Sequence, residues 1–371
     1  MSQVIIIGGG LAGLVSSILL SRNGLATVLI EKKKYPFHRV CGEYISNEVV
    51  PFMKHHGLYP DTADPIRISK FTLTAVNGRE AHLPLDLGGF GISRYRLDHF
   101  LFRKATASGV QFLNTTVNSV SLEGDRFRVA TDHETLEGDV VIGAFGKRSK
   151  LDKALDRSFI KRRSPYIGVK YHIEYNRHPD DTVALHNFPE GYCGISRIEE
   201  GRYNLCYLSE RTNLKDHGQI PKMEEQVLSR NPWLEDIFSS ARFLFDKPEV
   251  INEISFETKR PVEHNILMCG DAAGMITPLC GNGMAIAIHS AKLAAETVTR
   301  HLKGASFSRD ALEMEYAAQW NAMFKTRLWA GRQIQQLFGA AWLSNAAVGI
   351  CRNISPLANY LMKKTHGKPF R

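Results

Sequence analysis

The sequence contains no C-x-x-C pair. Its six cysteines, Cys41, Cys193, Cys206, Cys269, Cys280 and Cys351, are scattered over 371 residues. That spacing argues against a zinc site and a disulfide scaffold, and it fits a reducing compartment. His172, His186 and His289 also lack metal-ligand spacing. They read as structural, and no metal is expected. No basic segment precedes the apolar run from Val4 to Leu20, and glycines at 8, 9, 10 and 13 interrupt that run. A signal helix would have to continue there, so the run reads as strand, turn and helix in a cytoplasmic protein. No repeat, low-complexity linker or nucleic-acid module stands out, and the basic residues behind the formal charge of +9 are spread along the whole chain. No nucleic-acid partner is expected. An anionic cofactor, an acidic substrate, a membrane surface or a merely solvated basic surface all remain compatible with the charge.

At 371 residues the chain exceeds the usual size of one core, so two domains or one composite fold is expected. "VIIIGGGLAGLVSSILLSRNGLATVLIEK" reads as a β-α-β unit with a parallel strand pair. From Phe71 the pattern changes to alternating strands around an Asn77-Gly78 hairpin turn. A helix follows over "RLDHFLFRKATASG", stopped by Gly109, and then come the strands "VQFLN", "VNSVSLEG", "RFRVAT" and "DVVIGAF". Tyr166 to Ser209 reads as a β-meander in a second, antiparallel layer. "PKMEEQVLSRNPWLEDIFSSA" reads as helix, "HNILMCGDA" returns a strand to the first sheet, and the chain beyond about residue 308 reads as helical.

Gly8, Gly10 and Gly13 form G-x-G-x-x-G between a strand and a helix. The first glycine permits a tight turn, the second lets backbone approach a pyrophosphate, and the third allows close helix–strand packing. Leu11 and Ala12 open the helix, whose N-terminus offers free amides and partial positive charge to phosphates. Glu31 closes the second strand at the spacing of a carboxylate that grips ribose hydroxyls, and Lys32 follows it. This pattern indicates a dinucleotide and leaves NAD and FAD both open.

"CGDAAGMITPLCGNGMA", Cys269 to Ala285, combines a strand end, a loop with Pro278 and a glycine-rich helix start. It resembles the second FAD signature of the p-hydroxybenzoate hydroxylase superfamily, and within it the branch of geranylgeranyl reductases and flavin halogenases. The resemblance spans roughly residues 1–300 and implies FAD. It implies that Gly270 and Asp271 meet the ribityl chain. Gly281, Asn282, Gly283 and Met284 would bring amides and a helix N-terminus to the pyrimidine end of the ring, where reduced flavin is anionic. "FHRVCGEYIS" resembles the reductases' segment along the flavin, which implies cofactor contacts for Arg39, Cys41 and Gly42. There the Cys41 thiol is either a proton donor or a small packed residue. By the same resemblance Arg94 faces the cofactor and Val117 reads the adenine edge. In the substrate layer Tyr192 and Gly194 match part of the reductases' strand pair, so Tyr192 is a candidate substrate contact beside its alternative as core.

Three departures limit the resemblance. Phe145-Gly146 stands where the hydroxylases carry Asp-Gly, which weakens direct docking of a nicotinamide cofactor. No second G-x-G-x-x-G builds a separate NAD(P)H domain, and no W-x-W-x-I-P exists, since Trp233, Trp320, Trp329 and Trp342 stand apart. The expected fold is therefore an α/β composite. A Rossmann-like FAD domain (1–70, 95–160 and 255–305) is interrupted by an antiparallel-sheet substrate domain (71–94 and 161–254), with a helical region over 306–371. The family implies hydride transfer from flavin, reduced by an external donor such as NAD(P)H or a ferredoxin-like protein, to a C=C bond of a hydrophobic, lipid-like substrate. Flavin monooxygenation is the alternative, and a non-catalytic flavin-binding protein the second. Trp329, Leu337, Phe338, Trp342 and Leu343 lie among basic residues, as in a helix that docks at a membrane surface or packs on the FAD domain.

Overall fold

The computed structural model describes residues 3–252, 254–277, 281–336, 345, 348, 349 and 367–371. The apolar opening run forms β1 (Gln3–Ile7), α1 (Leu11–Arg22) and β2 (Ala26–Ile30), and β1 pairs with β2 in parallel. All residues of α1 from Leu11 to Leu20 are buried, as befits a helix covered on every side. The chain continues through β3 (Tyr44–Ser46), α2 (Val50–His55), β4 (Ile66–Thr74), β5 (Glu80–Gly91), α3 (Arg94–Ala107) and β6 (Gln111–Leu113). A small antiparallel sheet of β7 (Val117–Glu123), β8 (Arg126–Thr131) and β9 (Thr135–Gly138) precedes the buried β10 (Val140–Gly143) and α4 (Lys150–Ala154).

Next come β11 (Tyr166–Glu174), β12 (Thr182–Phe188), β13 (Gly191–Arg197), β14 (Tyr203–Glu210), α5 (Arg211–His217), α6 (Ile220–Gln226) and α7 (Pro232–Ser240). The chain then adds β15 (Arg242–Phe243), β16 (Glu249–Asn252), β17 (Val262–Glu263), β18 (Ile266–Met268), α8 (Gly283–Leu302) and α9 (Arg309–Gln336). One sheet runs β17-β18-β10-β1-β2-β6 and is parallel except for its β17 edge. The other runs β15-β11-β14-β13-β12-β4-β5-β3, with β16 also on β11.

Two sequence expectations change. The segment from Tyr166 to Ser209 is not a plain meander, because β11 pairs with β14 and β12 pairs in parallel with β4. Alternation of apolar residues assigns each strand its faces but not its neighbours. The helix expected over 221–241 is broken. Asn231 caps α7 by accepting from the Trp233 amide at 2.9 Å, with Pro232 at the first helical position. The Asn231 side-chain amide also donates to Thr74, Ala75 and Asn187, which pins the break to the large sheet.

That sheet has two unlike faces. Val169, Tyr171, Leu205 and Tyr207 pack against Met223, Leu234 and Ile237 of the helices. The residues between them, Gly168, Lys170, His172, Asn204, Cys206 and Leu208, alternate to the opposite face, toward the parallel sheet.

Glu224 of α6 lies under the large sheet, where Tyr171 and Tyr207 donate to its Oε1 at 3.0 and 2.7 Å. Burial pushes its carboxyl up to about 7, against the pull of those two hydrogen bonds. A raised folded-state value stabilises most below the unfolded value of 4.5 and is lost as pH rises to about 7. The melting temperature should therefore carry a component that falls between these pH values, on the order of 3 kcal/mol at most. Glu224→Gln should flatten that component in thermal melts across the window, and an unchanged pH dependence in the variant would refute the assignment.

Candidate functional site

A cavity of about 590 Å³ opens where four parallel strands end, at Ile7, Ile30, Ala144 and Cys269, and its far wall is the inner face of the large sheet. Open parallel sheets place ligands in this crevice beyond the carboxyl ends of their strands. Every residue singled out from the sequence lines it except Gly13. Gly13 acts one layer behind: a Cβ there would lie 1.9 Å from the Gly8 carbonyl oxygen, so only glycine lets α1 sit this close to the turn. Gly8 itself has φ +105 and its Cβ would meet the Ala144 carbonyl oxygen at 2.4 Å.

At this end Gly10 caps α1 without a side-chain hydrogen bond, and no acid stands in the first turn. Leu11 and Ala12 line the wall beside it. The Glu31 carboxylate is buried and accepts from the amides of Gly9 and Lys33, both at 3.0 Å, while Arg39 pairs with it at 3.1 Å. Arg39 continues to Asp98 at 3.0 Å, and Asp98 holds Arg94 through two bonds of 2.7 and 2.8 Å. Arg94 is thus a buried member of a charge chain rather than a surface cation. Burial opposes its charge, but Asp98 outweighs burial and raises its pKa, with the Cys41 thiol also beside it. Lys32 and Val117 complete this end, Lys32 as an exposed residue and Val117 at the start of β7.

The other end is built by the turn at Gly270–Ala272 and the start of α8. Asn282 caps α8 with no side-chain bond to its first turn, which again holds no acid. The Asn282 side-chain amide donates instead to buried Glu48 at 3.3 Å. Gly283 and Met284 follow in the wall, and Gly281 has φ +60 with the Tyr44 ring 3.2 Å from where a Cβ would stand. Pro278 and Cys280 lie outside the described residues. Lys259 joins this turn to the loop after β10 by donating to the carbonyls of Asp271 at 2.9 Å and Lys147 at 2.8 Å. Burial lowers its pKa to about 8, partly offset by Asp152.

Two uncapped helix N-termini thus face one cavity, and neither first turn carries a carboxylate that would compete with an anion. Gly42 also lines it, with no atom within 4 Å of where a side chain would begin. This donor set fits a long anionic dinucleotide whose phosphates lie at one helix and whose ring lies at the other.

Toward the large sheet the wall becomes apolar, through Phe71, Leu85, Leu208, Ile251, Ile254 and Met275. Tyr192 stands among them, only 3% exposed. Cys41 and Cys206 are free thiols in the same wall, and burial, reinforced by Cys41, pushes Cys206 up to about 12. Phe145 occupies the wall at the position of the missing acid. Trp329 is 57% exposed on α9, whereas Leu337, Phe338, Trp342 and Leu343 lie outside the described residues. Among the described residues no helix is long and apolar enough to cross a membrane.

The sequence reading passed over Glu43, Lys170, His38 and Lys259. A signal for Lys170 was available, since a lysine in the middle of the apolar strand "YIGVKYHIEY" must find a buried partner. Nothing local marked Glu43 as that partner.

A model of the FAD binding domain family matches residues 1–317. The chain belongs to that family. It is an FAD-dependent oxidoreductase, FAD is its cofactor, and its resemblance to the geranylgeranyl reductase-like branch holds. The digeranylgeranylglycerophospholipid reductase of Methanocaldococcus jannaschii is 24% identical over 330 residues, covering 86% of this chain and 82% of that protein. A geranylgeranyl bacteriochlorophyll reductase-like structure from Thermoplasma acidophilum superposes with a TM-score of 0.77 at 18% identity, over 100% of this chain and 97% of that one. The flavin-dependent brominase Bmp2 superposes with a TM-score of 0.80 at 18% identity, over 100% and 95%. Identities this low establish the shared fold and leave the reaction open between reductase and halogenase neighbours.

Glu31→Gln keeps the size of the side chain and removes the charge that anchors the Gly9 turn and Arg39. Hydrogen bonds to a charged group contribute about 1.5–3 kcal/mol, so the FAD dissociation constant should rise about 10- to 100-fold. Fluorescence of released FAD on dilution measures this, and unaltered retention would show that Glu31 does not organise the site.

Proposed function

We propose that the protein passes hydride from reduced FAD to a carbon–carbon double bond of a hydrophobic, lipid-like substrate. The observation that carries this reading is the continuity of one cavity from the two uncapped helix N-termini into an apolar wall on the large sheet. The digeranylgeranylglycerophospholipid reductase relative supports the substrate class. On this reading 1–70, 95–160 and 255–305 hold FAD, 71–94 and 161–254 hold substrate, and 306–371 pack over both. Bound FAD supplies the hydride chemistry.

The chain's own residues do the rest. Gly8, Gly10, Leu11 and Ala12 receive the pyrophosphate, while Glu31 holds the ribose, with Lys32 at its edge and Val117 at the adenine. Gly270 and Asp271 take the ribityl chain, and Gly281, Asn282, Gly283 and Met284 present amides to the ring's pyrimidine end. Arg39, Gly42 and Arg94 line the flavin, Cys41 supplies the proton to the substrate carbon that does not receive hydride, and Tyr192 with its apolar neighbours orients the chain and excludes water. Phe145 leaves no acid for a nicotinamide cofactor, so the electrons come from an external donor, NAD(P)H or a ferredoxin-like protein. Exposed Trp329 in a basic setting suits contact with the membrane surface that holds such lipids.

Anaerobic incubation with dithionite and a polyprenyl glycerophospholipid, read by mass spectrometry, should add 2 Da per double bond reduced. A product heavier by 16 Da that requires oxygen would replace hydride transfer with monooxygenation. Cys41→Ala should lower kcat about 10²-fold with KM little changed, the size expected for loss of a general acid.

A further inference from the structure

Directly behind the Cys41–Gly42 wall lies a charge cluster that the proposed chemistry has not yet used. Glu43 is fully buried with φ +53, and its Oε1 meets Lys170 Nζ at 2.5 Å and accepts from the Arg94 amide at 2.7 Å. Its Oε2 lies 2.7 Å from His172 Nε2. Lys170 is also fully buried, and His172 is 3% exposed. The cluster communicates with the cavity at two points. His38, a lining residue, presents its ring edge-on to His172 at 5.0 Å, and its Nδ1 is buried without a partner among the described residues. Ser196, another lining residue, donates to the Gly42 carbonyl at 3.0 Å and pairs across the sheet with Asn204, which pairs in turn with His172. Asn204 is fully buried, and neither its amide oxygen nor its nitrogen has a partner among the described residues. Such a side chain is available to a small polar guest in the same row as His172.

Burial opposes the Glu43 charge, but Lys170 and the His172 hydrogen bond outweigh it and hold the carboxyl down at about 2. An ionised carboxylate only accepts, so His172 must donate to it from Nε2, and the lone pair of the neutral ring is then on Nδ1. Lys170 and Glu43 cancel in charge, and a proton on His172 gives the cluster a net charge of +1. His172 is faced by Glu43, by Lys170 on its own strand and by His38, while Arg202 acts on His38 from beyond β13. Burial, then Lys170 and His172, lower His38 to about 4, so it stays neutral and can pass a proton between its two nitrogens.

We propose that His172, held by Glu43 and Lys170, takes up a proton when the bound flavin is reduced, and that His38 relays this proton to the cavity. The step balances. An external donor gives two electrons, one proton goes to the flavin, and a second proton from solvent goes to His172 Nδ1, offsetting the negative charge of the reduced ring. In turnover, hydride leaves the flavin for one alkene carbon, the π bond breaks, and the stored proton reaches the other carbon by way of His38 and Cys41. Two C–H bonds form, and the oxidised flavin and neutral His172 are restored. The proposal rests on the reading that the flavin ring lies along Cys41–Gly42, but its test needs no substrate.

The midpoint potential of the bound FAD, measured between pH 6.5 and 8.5 with dithionite and reference dyes, counts the protons. Each proton taken up with two electrons contributes about 30 mV per pH unit. The unmutated protein should show a slope near 60 mV per pH unit and His172→Gln a slope near 30, with Glu43→Gln likewise shallower. A slope near 30 in the unmutated protein, or one near 60 retained in His172→Gln, overturns the proposal. Should the variants fail to fold, nitrogen-15 NMR of labelled histidines in the unmutated protein reads the same event. One imaginable outcome, a single imidazole gaining a proton on reduction, supports the relay, and no change in any histidine refutes it. Failure of lipid reduction with the slopes as expected would overturn the substrate reading alone.

Discussion

The approach of α1 to the Gly8 turn is the contact on which the rest depends. Because the carbonyl oxygen of Gly8 stands where a Cβ of Gly13 would be, helix and turn can close only around glycine. The close contact aims the helix N-terminus at the crevice where β1, β2, β10 and β18 end. A second helix, α8, arrives at the same crevice from the other end of the chain, also uncapped and also without an acid in its first turn. Their free amides and aligned dipoles make the crevice a place for negative charge, and every other feature of the site is arranged around that potential.

Buried charge then holds the crevice to the large sheet. Glu43 reaches Lys170 and His172 on β11 and the first amide of α3, so one carboxylate ties three separate segments. Lys259 does the same for two loop carbonyls, and Asp98 for Arg39 and Arg94. Such groups are poor sources of net stability, because desolvation offsets most of their attraction. Their value is geometric: a buried charge without its partner costs about 3–5 kcal/mol, so alternative arrangements of the wall are strongly disfavoured. The hydrophobic clusters on either side supply the bulk of the folding energy and are indifferent to which loop faces which strand.

Much of the fold was legible because it is written in local patterns. The β1-α1-β2 unit, the Asn77-Gly78 hairpin and the return of the chain at "HNILMCGDA" each follow from periodicity and turn chemistry within about thirty residues. The two glycine-rich stretches were legible as halves of one site because each carries its own backbone requirement. The pairing of β12 with β4, and of β11 with β14 rather than β12, was not legible, since those choices lie between segments up to about a hundred residues apart. Arg94 shows the same limit within the site. Its position in the wall was readable from the segment it opens, yet its burial beside Asp98, with Arg39 on the far side, was not.

By itself the sequence determined a dinucleotide cradle, the identity of FAD as its occupant and the alternation of an α/β layer with an antiparallel one. These depend on glycine's conformational freedom, on helix starts and on strand periodicity, all of which act over a few residues. Tertiary structure alone decided that Glu43, Lys170 and His172 meet, that Asn204 is buried between His172 and Ser196, and that the cavity runs from a polar end to an apolar one. Buried charges select partners by proximity in space, and that proximity exists only after both sheets have packed.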